Sequence, residues 1–142
     1  MKEDLWQKQF KSLSAWAEKK GYQVILKRDV ADCIIFEDKE IFINSSCNTE
    51  NQFYTLLHEC GHLMTDNKKK MFLEEHPLYP SQVLDGRIEK SKAYKVCLIS
   101  EETSAWREGW RLAKRLNLYI NRTKYHRCMT DAVYSYIESI MT

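Results

Sequence analysis

The feature that most constrains this chain is the stretch TLLHECGHLMTD, residues 55–66, in which His58 and His62 stand four apart around Glu59. On a helix, side chains four apart point the same way, about one turn from each other, so both imidazoles can reach a single ion. Glu59 is offset from His58 by about 100°. In metal hydrolases with H-E-x-x-H, that offset lets the carboxylate act on water instead of on the metal. The same angular spacing collects Asn51, Thr55, His58, Glu59, His62, Thr65 and Asp66 on one arc. The opposite arc holds Phe53, Leu56, Leu57, Cys60, Leu63 and Met64. The histidines are therefore on the polar side, and the alternative to a metal site is a plain solvated surface. Cys60, on the apolar arc, reads as core packing.

A catalytic zinc site usually takes three protein ligands and leaves one position for water. The donors on offer are His76, His126 and the downstream carboxylates. In SEETSAWREGWRLAKRL, residues 100–116, Glu102 groups with Ala105, Trp106, Gly109, Ala113 and Leu116, while Glu101 turns to the edge with Glu108. A carboxylate on an apolar face needs a compensating charge or strong hydrogen bonds, and a metal ion supplies that charge. Small residues at 105, 109 and 113 would also let this helix approach another backbone closely. The competing account puts Glu102 in the first turn after a Ser100 cap, where it serves the positive end of the helix dipole. The ligand reading is preferred, with Glu101 as the alternative third ligand.

The flanking sequence predicts the rest of the fold. Leu5, Trp6, Phe10, Leu13, Trp16 and Ala17 recur at helical spacing over residues 3–20, and Gly21 is placed to end that helix. YQVILKR is strand-like, and CIIFEDKEIFIN sets two strand runs on either side of Asp38-Lys39, a hairpin pattern. Asn48 or Thr49 is the candidate cap for the histidine-bearing helix. Residues 67–80, with two prolines, read as a loop. A helix is expected over residues 82–98, and another from about Ser100 or continuous with it. A closing helix is expected over residues 123–141. The prediction is a single α+β domain over residues 1–142, with an N-terminal helix, a small three-stranded sheet, the His58–His62 helix and a helical C-terminal half.

Composition narrows the function classes. No apolar run is long enough to cross a bilayer, and MKEDLWQKQF lacks the apolar core of a secretion signal, so the cytoplasm is the expected compartment. Five cysteines with no C-x-x-C spacing suit neither a disulfide framework nor a cysteine-ligated zinc finger. A formal charge of +2 does not by itself imply a polyanion partner. The basic series Arg107, Arg111, Lys114, Arg115, Arg122, Lys124 and Arg127 is read as solvated helix faces in preference to a nucleic-acid footprint.

His58, Glu59, Gly61 and His62, followed about forty residues later by Glu102-x-x-Ala105 on a helix and preceded by strands, resemble the zincin metallopeptidases of the gluzincin kind, and most the ImmA/IrrE family. The resemblance implies a minimal zincin-like fold in which His58, His62 and Glu102 bind Zn2+ and Glu59 is the catalytic base. It also implies that the sheet edge ahead of the motif holds an extended peptide of a protein substrate, a transcriptional regulator in that family. Trp106 and Gly109 depart from the family pattern. The residues offered for oxyanion stabilisation are His126, Tyr125, His76 and Tyr79. The alternative function is a zincin-fold binding protein, of phage or mobile-element type, that captures a protein or nucleic-acid-associated partner without proteolysis. Peptide deformylase also uses H-E-x-x-H, but its cysteine motif and glycine-rich segment are missing here.

Overall fold

The computed structural model describes residues 4–66 and 92–141. The chain opens with α1 (Leu5–Lys19), started by Asp4, whose side chain accepts from the Gln7 backbone while the Gln7 side chain accepts from the Asp4 backbone. Its buried positions Gln9, Phe10, Leu13 and Ala17 follow the helical period read from the sequence. It ends where Gly21 takes φ +90°, with Gly21 N–H donating to Glu18 C=O and Tyr22 N–H to Ala17 C=O. That double closure satisfies carbonyls that the last turn would otherwise leave open.

Three short strands follow: β1 (Gln23–Lys27), β2 (Cys33–Ile35) and β3 (Glu40–Asn44). The sheet order is β1-β3-β2, with β1 parallel to β3 and β2 antiparallel to it. β2 and β3 form the predicted hairpin, and Lys39 occupies the left-handed region at φ 53° where glycine is the usual choice. On central β3, Ile41 and Ile43 are fully buried, while the residues between them are only partly covered, as a half-buried strand requires.

Asn48 is the cap of α2 (Thr49–Asp66), its side chain accepting from Asn51 N–H at 2.9 Å. Of the predicted apolar arc, Phe53, Leu56, Leu57, Cys60 and Leu63 are buried and Met64 is partly so, and Tyr54 joins the buried set. The C-terminal half holds α3 (Lys92–Arg115) and α4 (Arg122–Met141). Of the two alternatives, a start near Ser100 or continuity with the preceding helix, the continuous one is found: α3 runs unbroken through that position. The expected loop at 67–80, with His76 and Tyr79, and the expected helical residues 82–91 lie outside the described residues. The molecule is thus α+β, four helices and a small three-stranded sheet among the described residues. Among them no helix is long and apolar enough to cross a membrane.

Two devices fix the helices around the core. Gln9 is buried and grips both sides of one residue's backbone, donating to Tyr119 C=O at 2.8 Å and accepting from Tyr119 N–H, which ties α1 to the turn before α4. The second is the contact between α2 and α3. A Cβ built on Gly61 would lie 1.8 Å from Ala105 O, and one on Gly109 would lie 2.5 Å from Leu57 O. The two backbones touch at these glycines, and this contact sets the distance between the face that carries the histidines and the face that carries Glu102.

Candidate metal centre

α2 supplies His58, Glu59 and His62, which offer ligand atoms within 4.8 Å of one another and form a group that could hold a metal ion. α3 supplies Glu102 from the facing helix. Its Oε2 lies 3.0 Å from His58 Nε2 and its Oε1 3.2 Å from His62 Nε2, so one carboxylate spans both imidazoles. Glu101, its neighbour, remains partly buried and contributes negative charge at His62 without the direct contact. Since α3 begins well before residue 100, Glu102 sits in the body of the helix, and the helix-dipole account of its position does not apply.

Burial separates the two carboxylates. Glu59 is 3% exposed, whereas the Glu102 side chain keeps 23% of its surface in solvent. Glu59 therefore does not share a solvated arc with the polar residues of α2, contrary to the angular expectation. Its carboxyl is pushed up first by burial and further by Glu102 and Asp32, against the pull of His58 and His62. For Glu102, burial also pushes upward, but the hydrogen bonds from His58 and His62 outweigh it and bring the carboxyl down to about 2. Burial alone would lower His62, yet the hydrogen bond to Glu102 and the charges of Glu59, Glu102 and Glu101 raise it. The centre thus holds one carboxylate that stays ionised and one that is biased towards its protonated form.

No known family model, curated protein or solved structure matches this chain.

Of the other residues singled out, Tyr125 is buried and its hydroxyl donates to Trp106 C=O at 2.6 Å, so it is committed to joining α4 to α3 and is not free to meet an oxyanion. His126 is exposed on α4. Cys60 is fully buried, in keeping with a packing role, and burial raises its thiol far above the ordinary value. The structure also adds residues that the sequence reading left out of the site. Trp106, 2% exposed, stacks on His58 with ring centroids 4.3 Å apart and planes within 8°, so it fixes the plane of that imidazole. Asp32, just before β2, accepts from Asn44 N–H at 2.7 Å, and burial raises its carboxyl, partly offset by that bond and by His58. Tyr136 on α4 is raised by burial and by Glu102 and Glu101, so its hydroxyl lies in their field. The one sequence signal for Trp106 is its place beside Ala105 on the apolar side that also carries Glu102. Asp32 and Tyr136 carry no signal short of the fold.

Proposed function

We propose that this protein is a zinc-dependent metallopeptidase of the zincin kind, acting on a peptide bond of a protein substrate. The observation that carries the reading is the span of Glu102 across His58 Nε2 and His62 Nε2. Nitrogen and oxygen ligands about 2.0–2.1 Å from a tetrahedral ion lie roughly 3.3 Å from one another. The observed 3.0 and 3.2 Å separations fit that edge length, and two imidazoles with one carboxylate are a donor set that suits zinc. Both Nε2 atoms face Glu102, whereas Glu59 meets His58 on its Nδ1 side at 3.6 Å. This reading takes His58, His62 and Glu102 as the ligands and leaves Glu59 for proton transfer.

When bound, zinc lowers the pKa of water and polarises the scissile carbonyl. Glu59 accepts the proton of the attacking water at a carboxylate oxygen and delivers it to the departing amine nitrogen. Its upward shift favours that second step, because a carboxyl held readily in the acid form is a useful donor. Trp106 keeps the His58 ring in one plane, and the Glu102 hydrogen bonds hold both Nε2 atoms towards one point. β2 pairs only with β3 among the described residues, and Cys33 at its start feels the charge of Glu59. Its open edge can take an extended peptide as an added strand beside the general base.

Purified protein and its variants test this directly. The wild type should carry close to one zinc per chain by elemental analysis, lost in both His58→Ala and Glu102→Ala. Glu59→Gln should keep the metal and lose cleavage of a quenched-fluorescence peptide library. Zinc retained by Glu102→Ala, or cleavage retained by Glu59→Gln, refutes the assignment.

A further inference from the structure

The proposed chemistry leaves the basic residues of α3 and α4 without a role. Three of them, Arg107, Arg111 and Arg122, converge on a cavity of about 380 Å³ between these helices, whose apolar walls include Trp106, Trp110 and Met129. The cavity is close to the lower end of the range for small-molecule sites, about 300–1,000 Å³, which suits one ring system and its charged substituent.

The walls and the guanidinium groups ask for different things of a ligand. Trp110, partly exposed, offers an indole surface to a flat apolar body, and the buried Trp106 backs the wall. Arg111 is held by Glu108 through Nη1 at 2.6 Å, which leaves its other nitrogens to donate elsewhere. The Arg122 guanidinium lies 5.7 Å and Lys114 Nζ 5.4 Å from the Trp110 ring, so cations already surround that indole. Arg107 is exposed on the same helix. Like charges gathered around an apolar cavity repel one another, and an anion there relieves the repulsion while accepting charge-assisted hydrogen bonds.

We propose that the cavity between α3 and α4 binds a small planar aromatic anion, its ring against Trp110 and its carboxylate or phosphate on Arg107, Arg111 and Arg122. A mononucleotide and an aromatic carboxylate share this chemistry.

Calorimetric titration of the full chain with adenosine 5′-monophosphate, indole-3-acetate, adenosine and inorganic phosphate separates them. The proposal expects one of the first two to bind, with adenosine and inorganic phosphate at least about tenfold weaker, since each lacks half of the recognised chemistry. Preference between the first two identifies the source. The exposed pair Arg107→Gln and Arg122→Gln, combined, should weaken binding by about tenfold or more without changing the melting temperature. One indole N–H resonance, assigned to Trp110 by substitution, should shift on binding. Chelator-treated protein should bind equally well, so failure of the metal assignment does not decide this one. The proposal is overturned if no probe binds at about 1 mM, if adenosine matches its monophosphate, or if the paired variant binds unchanged. It is also overturned if only a ten-nucleotide oligothymidylate binds, with steep salt dependence, because the arginines would then form a phosphate track and not a small-molecule site.

Discussion

Gly61→Ala tests the helix contact that assembles the candidate centre. Propensity alone predicts a gain, because replacing glycine by alanine inside a helix is worth up to about 1 kcal/mol. The structure predicts the opposite. A Cβ at Gly61 would lie 1.8 Å from Ala105 O, 2.7 Å from Ala105 C and 3.1 Å from Gly109 N, where ordinary contact begins at 3.4 Å. All three obstacles are backbone, so no side chain can swing aside, and the shortfall of about 1.6 Å must be met by moving α2 and α3 apart. Overpacking a core with one or more methylenes costs about 1–3 kcal/mol, and a rigid obstacle puts this case at or beyond the top of that range. The net loss should therefore be about 2 kcal/mol or more after the propensity gain. The same displacement carries Glu102 away from His58 and His62, which it now meets at 3.0 and 3.2 Å. Metal affinity should fall with stability, and by more than in Leu13→Ala, a control that empties a fully buried position on α1 and leaves the contact between α2 and α3 alone. Urea denaturation and zinc competition against a chromophoric chelator measure the two effects. A variant as stable as the wild type, with unchanged zinc affinity, would refute the account of how the site is built.

Proton competition sets the pH dependence of metal binding. His62 is raised above its ordinary 6.5 and holds a proton into a higher range, so as pH is lowered affinity should begin to fall while still above 6.5 and continue to fall through it. Glu102, ionised down to about 2, adds nothing to that loss, and a zinc affinity flat from about pH 8 to 6 would contradict the shift. In metal-free protein the raised imidazole stabilises the fold below 6.5 and loses that contribution as pH rises through its folded value. The depressed Glu102 stabilises above 4.5 and loses its contribution as pH falls towards 2, so the stability lost by Glu102→Gln relative to wild type, both chelator-treated, should be largest between 4.5 and 6.5 by urea titration. Tyr125→Phe should cost about 1 kcal/mol through the lost bond to Trp106 C=O and leave turnover unchanged. Abolished cleavage in a well-folded Tyr125→Phe would show that the hydroxyl serves the reaction.

The parts of this molecule that follow from local periodicity were legible in the sequence. The apolar arc of α2, the register of α1 against Gly21 and the position of Glu102 on the apolar side of α3 all depend on residues within a few turns of one another. What a neighbouring element covers was not legible. Glu59 falls on the same side of the wheel as solvated residues, yet it is buried near Asp32 and Cys33, at the start of a strand that the sequence places more than twenty residues away. The same limit explains Gly61. Its place inside H-E-x-x-H explains nothing about its size, and only the approach of Ala105 O reveals why a side chain there is excluded. Trp106 combines both cases, since its position on the apolar face was readable, but its stack on His58 and its place in the cavity wall require three helices to meet. A substitution series at Trp106 should therefore divide in two. Phe keeps a flat face for His58 but shortens the cavity wall, so it should preserve zinc binding while weakening the aromatic anion. Leu removes the flat face as well, and should loosen both.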